Sequence, residues 1–139
     1  MKGKKKVVSM KGLRDKLDRV FSRYIRLRDA DENGTVACVT CGKLAHWKEV
    51  HAGHFIKRQH MSVRWDERNV AAQCVRCNLH MGGQQDVFSK VILDAHGADV
   101  LSELLCMKGE VRKWTRQELA DLIAKYESAA RERESKLTV

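Results

Sequence analysis

The sequence lacks proline, low-complexity tracts, internal repeats and any long apolar run. No apolar run approaches the roughly 20 residues that a membrane-spanning helix requires, so no transmembrane span is predicted. The basic N-terminus leads into no apolar core of the signal-peptide type. We therefore expect a single cytoplasmic domain that comprises residues 1–139 and makes no contact with a membrane.

The positive charge is concentrated near the N-terminus. The net charge is +9, and the first 28 residues hold eleven basic and two acidic side chains. The rest of the chain holds 16 basic and 16 acidic side chains and therefore sums to zero. Clustered Lys and Arg gain affinity by releasing counterions from phosphates, which predicts a DNA-binding arm. A solvated tail and an anionic membrane surface are the alternatives, although no hydrophobic anchor accompanies the charge.

The hydrophobic pattern predicts an α+β fold. Apolar residues recur at three- and four-residue spacing in the N-terminal segment, which is typical of an amphipathic helix. Two short stretches, residues 35–41 and 51–57, read as strands, whereas residues 62–72 read as loops. The predicted segments, in chain order, are a basic tail at 1–9, a basic helix at 10–30, a core at 35–82 and a helical part at 84–130.

Four of the five cysteines form two C-x-x-C pairs, Cys38 with Cys41 and Cys74 with Cys77. A tetrahedral zinc ion takes four thiolates, and a two-residue gap lets one tight turn aim both sulfurs at one point. Disulfides are disfavoured without a secretion signal, and a redox C-x-x-C normally stands alone. The pairs therefore predict a structural Zn²⁺ site with no open position for substrate. Cys106, in an apolar helical stretch, is expected to be a buried small hydrophobe.

Histidine and asparagine side chains surround the two cysteine pairs. His54 lies in a predicted strand between the pairs, Asn69 precedes the second pair, and Asn78 directly follows Cys77. If the second pair opens a helix, Asn78 faces back toward the strand that carries His54. An imidazole titrates near neutral pH and can take a proton from water, so His54 is a candidate general base.

This order resembles that of the His-Asn-His (HNH, ββα-metal) nucleases with four-cysteine zinc sites, in the variant whose last His is Asn. The resemblance implies a ββα-metal core in which a β-hairpin and a helix clamp one divalent ion, Mg²⁺ or Mn²⁺. It further implies that His54 is the general base, that Asn69 orients it and that Asn78 binds the ion. The ion would neutralise the scissile phosphate and stabilise the leaving oxygen. His51 and His80 are further candidate ligands.

Longer strings resemble the NinG (Rap) family of lambdoid phages. The resemblance extends from about Val20 to Tyr126 and implies a recombination endonuclease that acts on branched DNA, including Holliday junctions and D-loops. Paired cuts in a two-fold symmetric junction need two sites, so a homodimer is expected. The chain is also expected to lack the additional N-terminal segment of the lambda member. The strings are His51-Ala-Gly-His54, Arg64-Trp-Asp-Glu-Arg-Asn69, Gln73-Cys-Val-Arg-Cys-Asn78-Leu-His80, Cys38-Val-Thr-Cys-Gly42 and Trp114-Thr-x-x-Glu118.

Two positions depart from these patterns. Gly53 stands where many His-Asn-His enzymes carry Asp directly before the base, and His51 stands where the lambda-like string carries Asp. A neutral nitrogen favours a softer ion than a carboxylate does, which points toward Mn²⁺ or a transition metal. The missing carboxylate also leaves open a second function, that of a non-catalytic, zinc-stabilised DNA-binding recombination accessory protein.

Basic side chains are predicted to hold the DNA backbone. Four form a stripe on the N-terminal helix and four flank the proposed site, and such contacts position a backbone without reading bases. No segment resembles a dedicated base-reading module. A sequence-specific nuclease of the homing or restriction type is therefore the least favoured of the possible functions. The predicted contacts are Lys16, Arg19, Arg23, Arg26, Lys57, Arg58, Arg64 and Arg68.

Overall fold

The structure is a computed structural model that describes residue 3 and residues 6–138. The predicted basic tail at residues 1–9 therefore lies partly outside the described residues. The fold combines helices with short strands, which confirms the α+β prediction. The elements are α1 (Met10–Arg28), β1 (Thr35–Ala37), β2 (Leu44–His46), β3 (His51–His54), β4 (Val70–Gln73), α2 (Gln85–His96), α3 (Ala98–Met107) and α4 (Arg116–Ser135). Short 3-10 turns at Trp47–Glu49 and Glu67–Asn69 precede β3 and β4, and a π-helical segment occupies Arg76–His80.

The strands form two separate antiparallel sheets of two strands each. β1 pairs with β2, and β3 pairs with β4 so that His51 lies opposite Gln73 and His54 lies opposite Val70. The second sheet is followed by the π-helical segment. This order places the candidate base on one strand and the second cysteine pair at the end of its partner strand.

The strand bounds differ from the sequence-based expectation. The strands predicted at 35–41 and 51–57 end earlier, at Ala37 and His54. β4 lies largely inside the segment 62–72 that was predicted to be loop. Its residues have little intrinsic strand signal, and the strand is stabilised by pairing with β3, a contact between distant parts of the chain.

The first and last helices pack against each other and form the main core. α1 begins at Ser9, whose hydroxyl accepts a hydrogen bond from the Gly12 N–H at 3.0 Å. α4 begins with a capping box of Thr115 and Glu118. α1 also contacts β3 and β4, so it supports the second sheet. The buried core residues are Leu17, Phe21, Ile25, Trp65, Val70, Leu119, Ile123 and Tyr126.

The helices in the second half of the chain secure the loop between β3 and β4. Phe55 of that loop packs against Phe88 of α2, with ring centroids 5.8 Å apart. The predicted basic helix at 10–30 ends at Arg28, and the helical part predicted at 84–130 comprises three helices, of which α4 continues to Ser135. Within the described residues, no helix combines the length and apolar content needed to cross a bilayer.

Cys106 does not have the predicted environment. It lies on α3 and its side chain is exposed, whereas Leu104 two positions earlier is fully buried. The buried face of α3 contains Val100, Leu104 and Met107, at helical spacings that leave Cys106 on the outer face. The prediction that Cys106 is buried, which was based on the apolar composition of the stretch, is therefore wrong.

Candidate active site and metal centre

The four predicted zinc ligands lie around one point. The Sγ atoms of Cys38, Cys41, Cys74 and Cys77 are all within 4.8 Å of one another. The Sγ atoms of Cys41 and Cys74 are 3.8 Å apart. A tetrahedral ion with Zn–S bonds of about 2.3 Å requires sulfur–sulfur distances of about 3.8 Å, so these sulfurs are suitably spaced. The four cysteines could therefore hold a metal such as zinc.

Backbone hydrogen bonds shape both cysteine pairs. The Cys38 N–H donates to the Lys43 carbonyl at 2.9 Å, and the Gly42 N–H donates to the Cys38 carbonyl at 2.9 Å. Gly42 has φ +77°, a conformation that glycine adopts without a steric cost. In the second pair, the Asn78 N–H donates to the Cys74 carbonyl at 2.9 Å. Asn78 is therefore bonded through its backbone to one of the four clustered cysteines.

A cleft of about 910 Å³ lies beside α1, β3 and the π-helical segment. His51 and His54 line it from β3, and Asn78 lines it from the π-helical segment. The predicted base and the predicted post-cysteine ligand therefore share one cavity. Among the described residues that line the cleft, Asp18 is the only acidic one. The basic lining residues are Arg26, Lys48, Lys57, Arg58 and Arg64.

The His54 ring is held by a backbone carbonyl. Its Nε2 lies 2.8 Å from the carbonyl oxygen of Arg64. Because a carbonyl oxygen can only accept, Nε2 carries the proton and donates, and Nδ1 keeps a free lone pair. Burial of the ring lowers the pKa of His54 below its usual value of 6.5, since burial penalises the charged form. The ring is therefore neutral at pH 7 and can accept a proton at Nδ1.

Asn69 fastens the loop between β3 and β4. Its side chain is fully buried, and its Oδ1 accepts from the Ile56 N–H at 2.8 Å. Its Nδ2 donates to the carbonyls of Ile56 at 3.0 Å and Val63 at 3.1 Å. Val63 precedes Arg64, whose carbonyl holds His54. The expected orienting effect of Asn69 on the base therefore passes through the loop backbone.

His51 and Asn78 are direct neighbours in the cleft. The Asn78 Nδ2 donates to the His51 Nδ1 at 3.0 Å. An imidazole nitrogen and an amide oxygen can each bind a divalent ion, and water and substrate phosphate commonly complete the shell of Mg²⁺. His80 is exposed and does not line the cleft. Apart from the cysteines, the described residues contain no group of three His, Cys, Asp or Glu side chains that could enclose an ion.

The packing of Gln73 explains the glycine at position 53. A Cβ placed on Gly53 would lie 2.2 Å from the Gln73 Oε1 and 2.8 Å from the Gln73 Cβ. Gln73 is fully buried, and its Nε2 donates to the Thr40 Oγ1 at 3.0 Å and to the Gly83 carbonyl at 2.8 Å. A carboxylate at position 53 would meet this side chain. Gln73 thus connects β4 to the turn that carries the first cysteine pair and to the segment that follows the second pair. This role of Gln73 was not predicted from the sequence.

The eight basic residues predicted to contact DNA occupy different surfaces. Arg26, Lys57, Arg58 and Arg64 line the cleft. Arg19 is exposed on α1 but is not a lining residue. The other three form ion pairs away from the cleft: Lys16 with Glu127, Arg23 with Glu134, and Arg68 with Asp66 and Glu103. The stripe on the N-terminal helix is therefore divided between the cleft and α4.

Asp18 was not singled out from the sequence, yet it organises one wall of the cleft. Its carboxylate accepts hydrogen bonds from Arg64 and from the Trp65 Nε1, the latter at 3.0 Å. Arg58 lies 3.4 Å from it. An isolated aspartate on a basic helix belongs to no recognisable sequence motif. The available signal is its place between Leu17 and Phe21 of the apolar stripe, which turns it toward the rest of the molecule.

Comparison with known proteins places the chain in a family. A family model described as "Bacteriophage Lambda NinG protein" matches residues 1–136. The chain belongs to the NinG family. Proteins called "Protein ninG" are 33% identical over 107 residues in Escherichia phage 933W and 31% identical in Salmonella phage P22 and Escherichia phage lambda. These matches cover 75% of this chain and 48–49% of the relatives, so the chain spans about half their length. No solved structure matches the chain significantly.

Family membership confirms the resemblance carried by the sequence strings. The relatives named above are bacteriophage proteins.

The metal centre of this NinG-family chain yields the first prediction. We expect one zinc ion per chain, and we expect Cys74→Ser to lose the ion and to melt at a much lower temperature, because structural zinc sites contribute on the order of 10 kcal/mol. Cys106→Ser, at an exposed position, is the matched control and should keep both properties. Zinc content and thermal melting by circular dichroism measure the outcome. A Cys74→Ser protein with full zinc content and parental melting would contradict the assignment.

The contact between Gly53 and Gln73 yields the second prediction. Gly53→Ala should lower the free energy of unfolding by about 1–3 kcal/mol, because the new methyl group overpacks a buried site. Gly109→Ala is the control, since a Cβ there meets its nearest neighbour, the Cys106 carbonyl, at an ordinary 3.8 Å. Urea denaturation compares the two variants. Equal stability of both would show that Gln73 moves aside freely.

Proposed function

We propose that this chain is a metal-dependent DNA endonuclease of the HNH type that hydrolyses phosphodiesters in branched recombination intermediates such as Holliday junctions and D-loops. The observation that carries the proposal is the basic cleft shared by His54, His51 and Asn78. The order of these residues around four clustered cysteines resembles that of the His-Asn-His nucleases. The resemblance of the sequence strings to recombination nucleases supplies the branched substrate class.

His54 has the features that a general base requires. In the proposed reaction its Nδ1 takes a proton from a water molecule, whose oxygen forms a bond to the scissile phosphorus. The bond from phosphorus to the leaving oxygen breaks, and that oxygen is protonated from solvent. The Arg64 carbonyl favours this step because it accepts from Nε2–H, both orienting the ring and stabilising the cation formed.

His51 and Asn78 are the residues that would hold a divalent ion. When bound, Mg²⁺ or Mn²⁺ would supply positive charge that neutralises the phosphate and stabilises the leaving oxygen. The ligand set contains an imidazole nitrogen in place of a carboxylate, which favours Mn²⁺ more than an all-oxygen set would. The four cysteines are separate from this ion, since four thiolates complete the shell of a structural zinc.

The lining of the cleft suits a polyanion. Lys57 and Arg58 are exposed at its edge, and Arg26 extends the basic surface along α1. Such contacts attract and position a phosphate backbone without selecting a base sequence. Two cuts placed symmetrically across a four-way junction require two such clefts, so a homodimer forms part of the proposal.

The catalytic role of His54 is tested by substitution. His54→Ala should lower the rate of cleavage of a synthetic four-way junction by about 10²–10⁴-fold in Mg²⁺ or Mn²⁺, the usual contribution of a general base. His96→Ala is the control, because His96 is exposed on α2 and lines a different groove. Single-turnover rates on an end-labelled junction measure the effect. If His54→Ala cuts as fast as the parent, His54 is not the base.

A non-catalytic accessory protein that binds junctions is the second candidate function. It is favoured by the scarcity of carboxylates in the cleft, since a catalytic divalent ion is commonly held by carboxylates. Among the described lining residues, Asp18 is the one acidic residue. That carboxylate is already occupied by Arg64. A parent protein that binds four-way junctions tightly but nicks none with Mg²⁺, Mn²⁺, Co²⁺ or Zn²⁺ would support this function over the endonuclease.

The environment of His54 also predicts the pH dependence of cleavage. Burial lowers the pKa of His54 below 6.5, so the neutral, active ring persists to below that pH. As pH falls through the lowered pKa the base is protonated, and kcat/KM should fall by about tenfold per pH unit. The pH profile is recorded at saturating Mn²⁺, so that loss of the metal at low pH does not cause the fall in kcat/KM. An acid limb with its midpoint above pH 6.5 would contradict the assignment.

A further inference from the structure

We propose that Asp18 of α1 is a positioning residue for His54, which makes the basic helix a structural part of the active site. The inference rests on the proposed endonuclease function of the cleft. It assigns a role to the one acidic side chain among the described residues that line the cleft.

Donors from one segment of the β3–β4 loop converge on the Asp18 carboxylate. The Arg64 Nε donates to Oδ1 at 3.0 Å, and the Arg64 Nη2 donates to Oδ2. The Trp65 Nε1 also donates to Oδ1 at 3.0 Å. The Asp18 and Arg64 side chains are only 16% and 14% exposed. The pair is therefore bidentate and largely shielded from water, unlike the exposed ion pairs that contribute little.

These bonds act on the peptide unit that orients the base. The carbonyl that accepts from the His54 Nε2 belongs to the peptide unit joining Arg64 to Trp65. Asp18 binds the side chains on both sides of that unit, so these bonds restrain the rotation of the carbonyl. Asn69 fixes the preceding carbonyl, that of Val63, at 3.1 Å. The loop is thus held by Asn69 at the end that precedes β4 and by Asp18 from α1.

α1 is a rigid support for this contact. Leu17, adjacent to Asp18, and Phe21, one turn later, are 0% and 1% exposed in the core shared with α4. Trp65 belongs to the same core and meets Trp114 edge-on, with ring centroids 5.6 Å apart. A shift of the Asp18 backbone would therefore disturb a close-packed core, in which small displacements are costly.

The position requires a negative charge. Asp18 faces the guanidinium groups of Arg64 and Arg58, and an asparagine would present an amide N–H to at least one donor. Arg64 would then be left partly buried without a counter-ion, a state that proteins avoid by rearranging. As Arg64 turns toward the open cleft, its carbonyl moves away from His54.

A matched pair of substitutions on α1 tests the inference. Asp15 is the control residue, because it lies one turn before Asp18, is 45% exposed and, among the residues that the structure describes, forms its ion pair with Lys11 at 2.8 Å. Asp18→Asn and Asp15→Asn raise the net charge equally, so the total charge of the protein does not distinguish the two variants. We expect Asp18→Asn to lower kcat on a four-way junction by about tenfold or more with KM within about threefold, the pattern of a lost transition-state interaction. Asp15→Asn should match the parent in both constants.

Two further measurements separate positioning from stability. Ile123→Val weakens the same core on α4, away from the cleft, and should keep the parental kcat even where its melting temperature matches that of Asp18→Asn. The ¹⁵N signals of the His54 ring report its tautomer without any cleavage assay. They should show the Nε2-protonated form in the parent and in Asp15→Asn, and a mixture of tautomers in Asp18→Asn. Asp18→Glu, which keeps the charge, should recover part of the lost kcat.

The outcomes distinguish this inference from the proposed function. A parent protein that never cuts junctions would overturn the endonuclease proposal. In that case the ¹⁵N signals of the His54 ring would still show whether Asp18 controls the His54 tautomer. An active parent whose Asp18→Asn variant retains the parental kcat and His54 signals would overturn the positioning role alone. An equal loss of kcat in Ile123→Val at matched melting temperature would overturn it as well.

Discussion

The convergence of four cysteine sulfurs is the constraint on which the rest of the site depends. The two pairs are 32 residues apart in the sequence, yet their sulfurs lie within 4.8 Å of one another. A shared metal would tie the β1–β2 turn to the end of β4, and the Asn78 N–H bonds directly to the Cys74 carbonyl. The same segment brings the Asn78 Nδ2 to 3.0 Å from the His51 Nδ1 on β3.

The loop between β3 and β4 is the second organising feature, because it supplies the acceptor that orients His54. It is irregular, yet three side chains from different parts of the chain hold it in place. Asn69 binds the carbonyls of Ile56 and Val63, Trp114 donates to the Met61 carbonyl at 3.0 Å, and Asp18 grips residues 64–65. A site that must place an imidazole accurately benefits from such redundancy, since a loop with one anchor would let the ring change its tautomer and direction.

Local spacing was sufficient to predict part of this arrangement. The two C-x-x-C pairs, the amphipathic α1 and the Thr115–Glu118 capping box are written in residues at most four positions apart, and the structure confirms them. β4 and the Asp18 contact could not be predicted in this way. Both depend on pairing between residues distant in sequence, and short segments such as Val70–Gln73 carry no periodic signal of their own. The same limit applies to Gly53, whose packing against Gln73 becomes visible only when β3 and β4 are side by side.

The proposed chemistry depends on a divalent ion that His51 and Asn78 would hold on the His54 side of the cleft. Anomalous diffraction from crystals of the zinc-loaded protein soaked in Mn²⁺ tests this claim most directly, because the two metals are distinguished by their absorption edges. We expect a zinc peak at the four cysteines and a manganese peak within bonding distance of the His51 ring and the Asn78 amide. Manganese peaks confined to surface carboxylates, with none in the cleft, would contradict it.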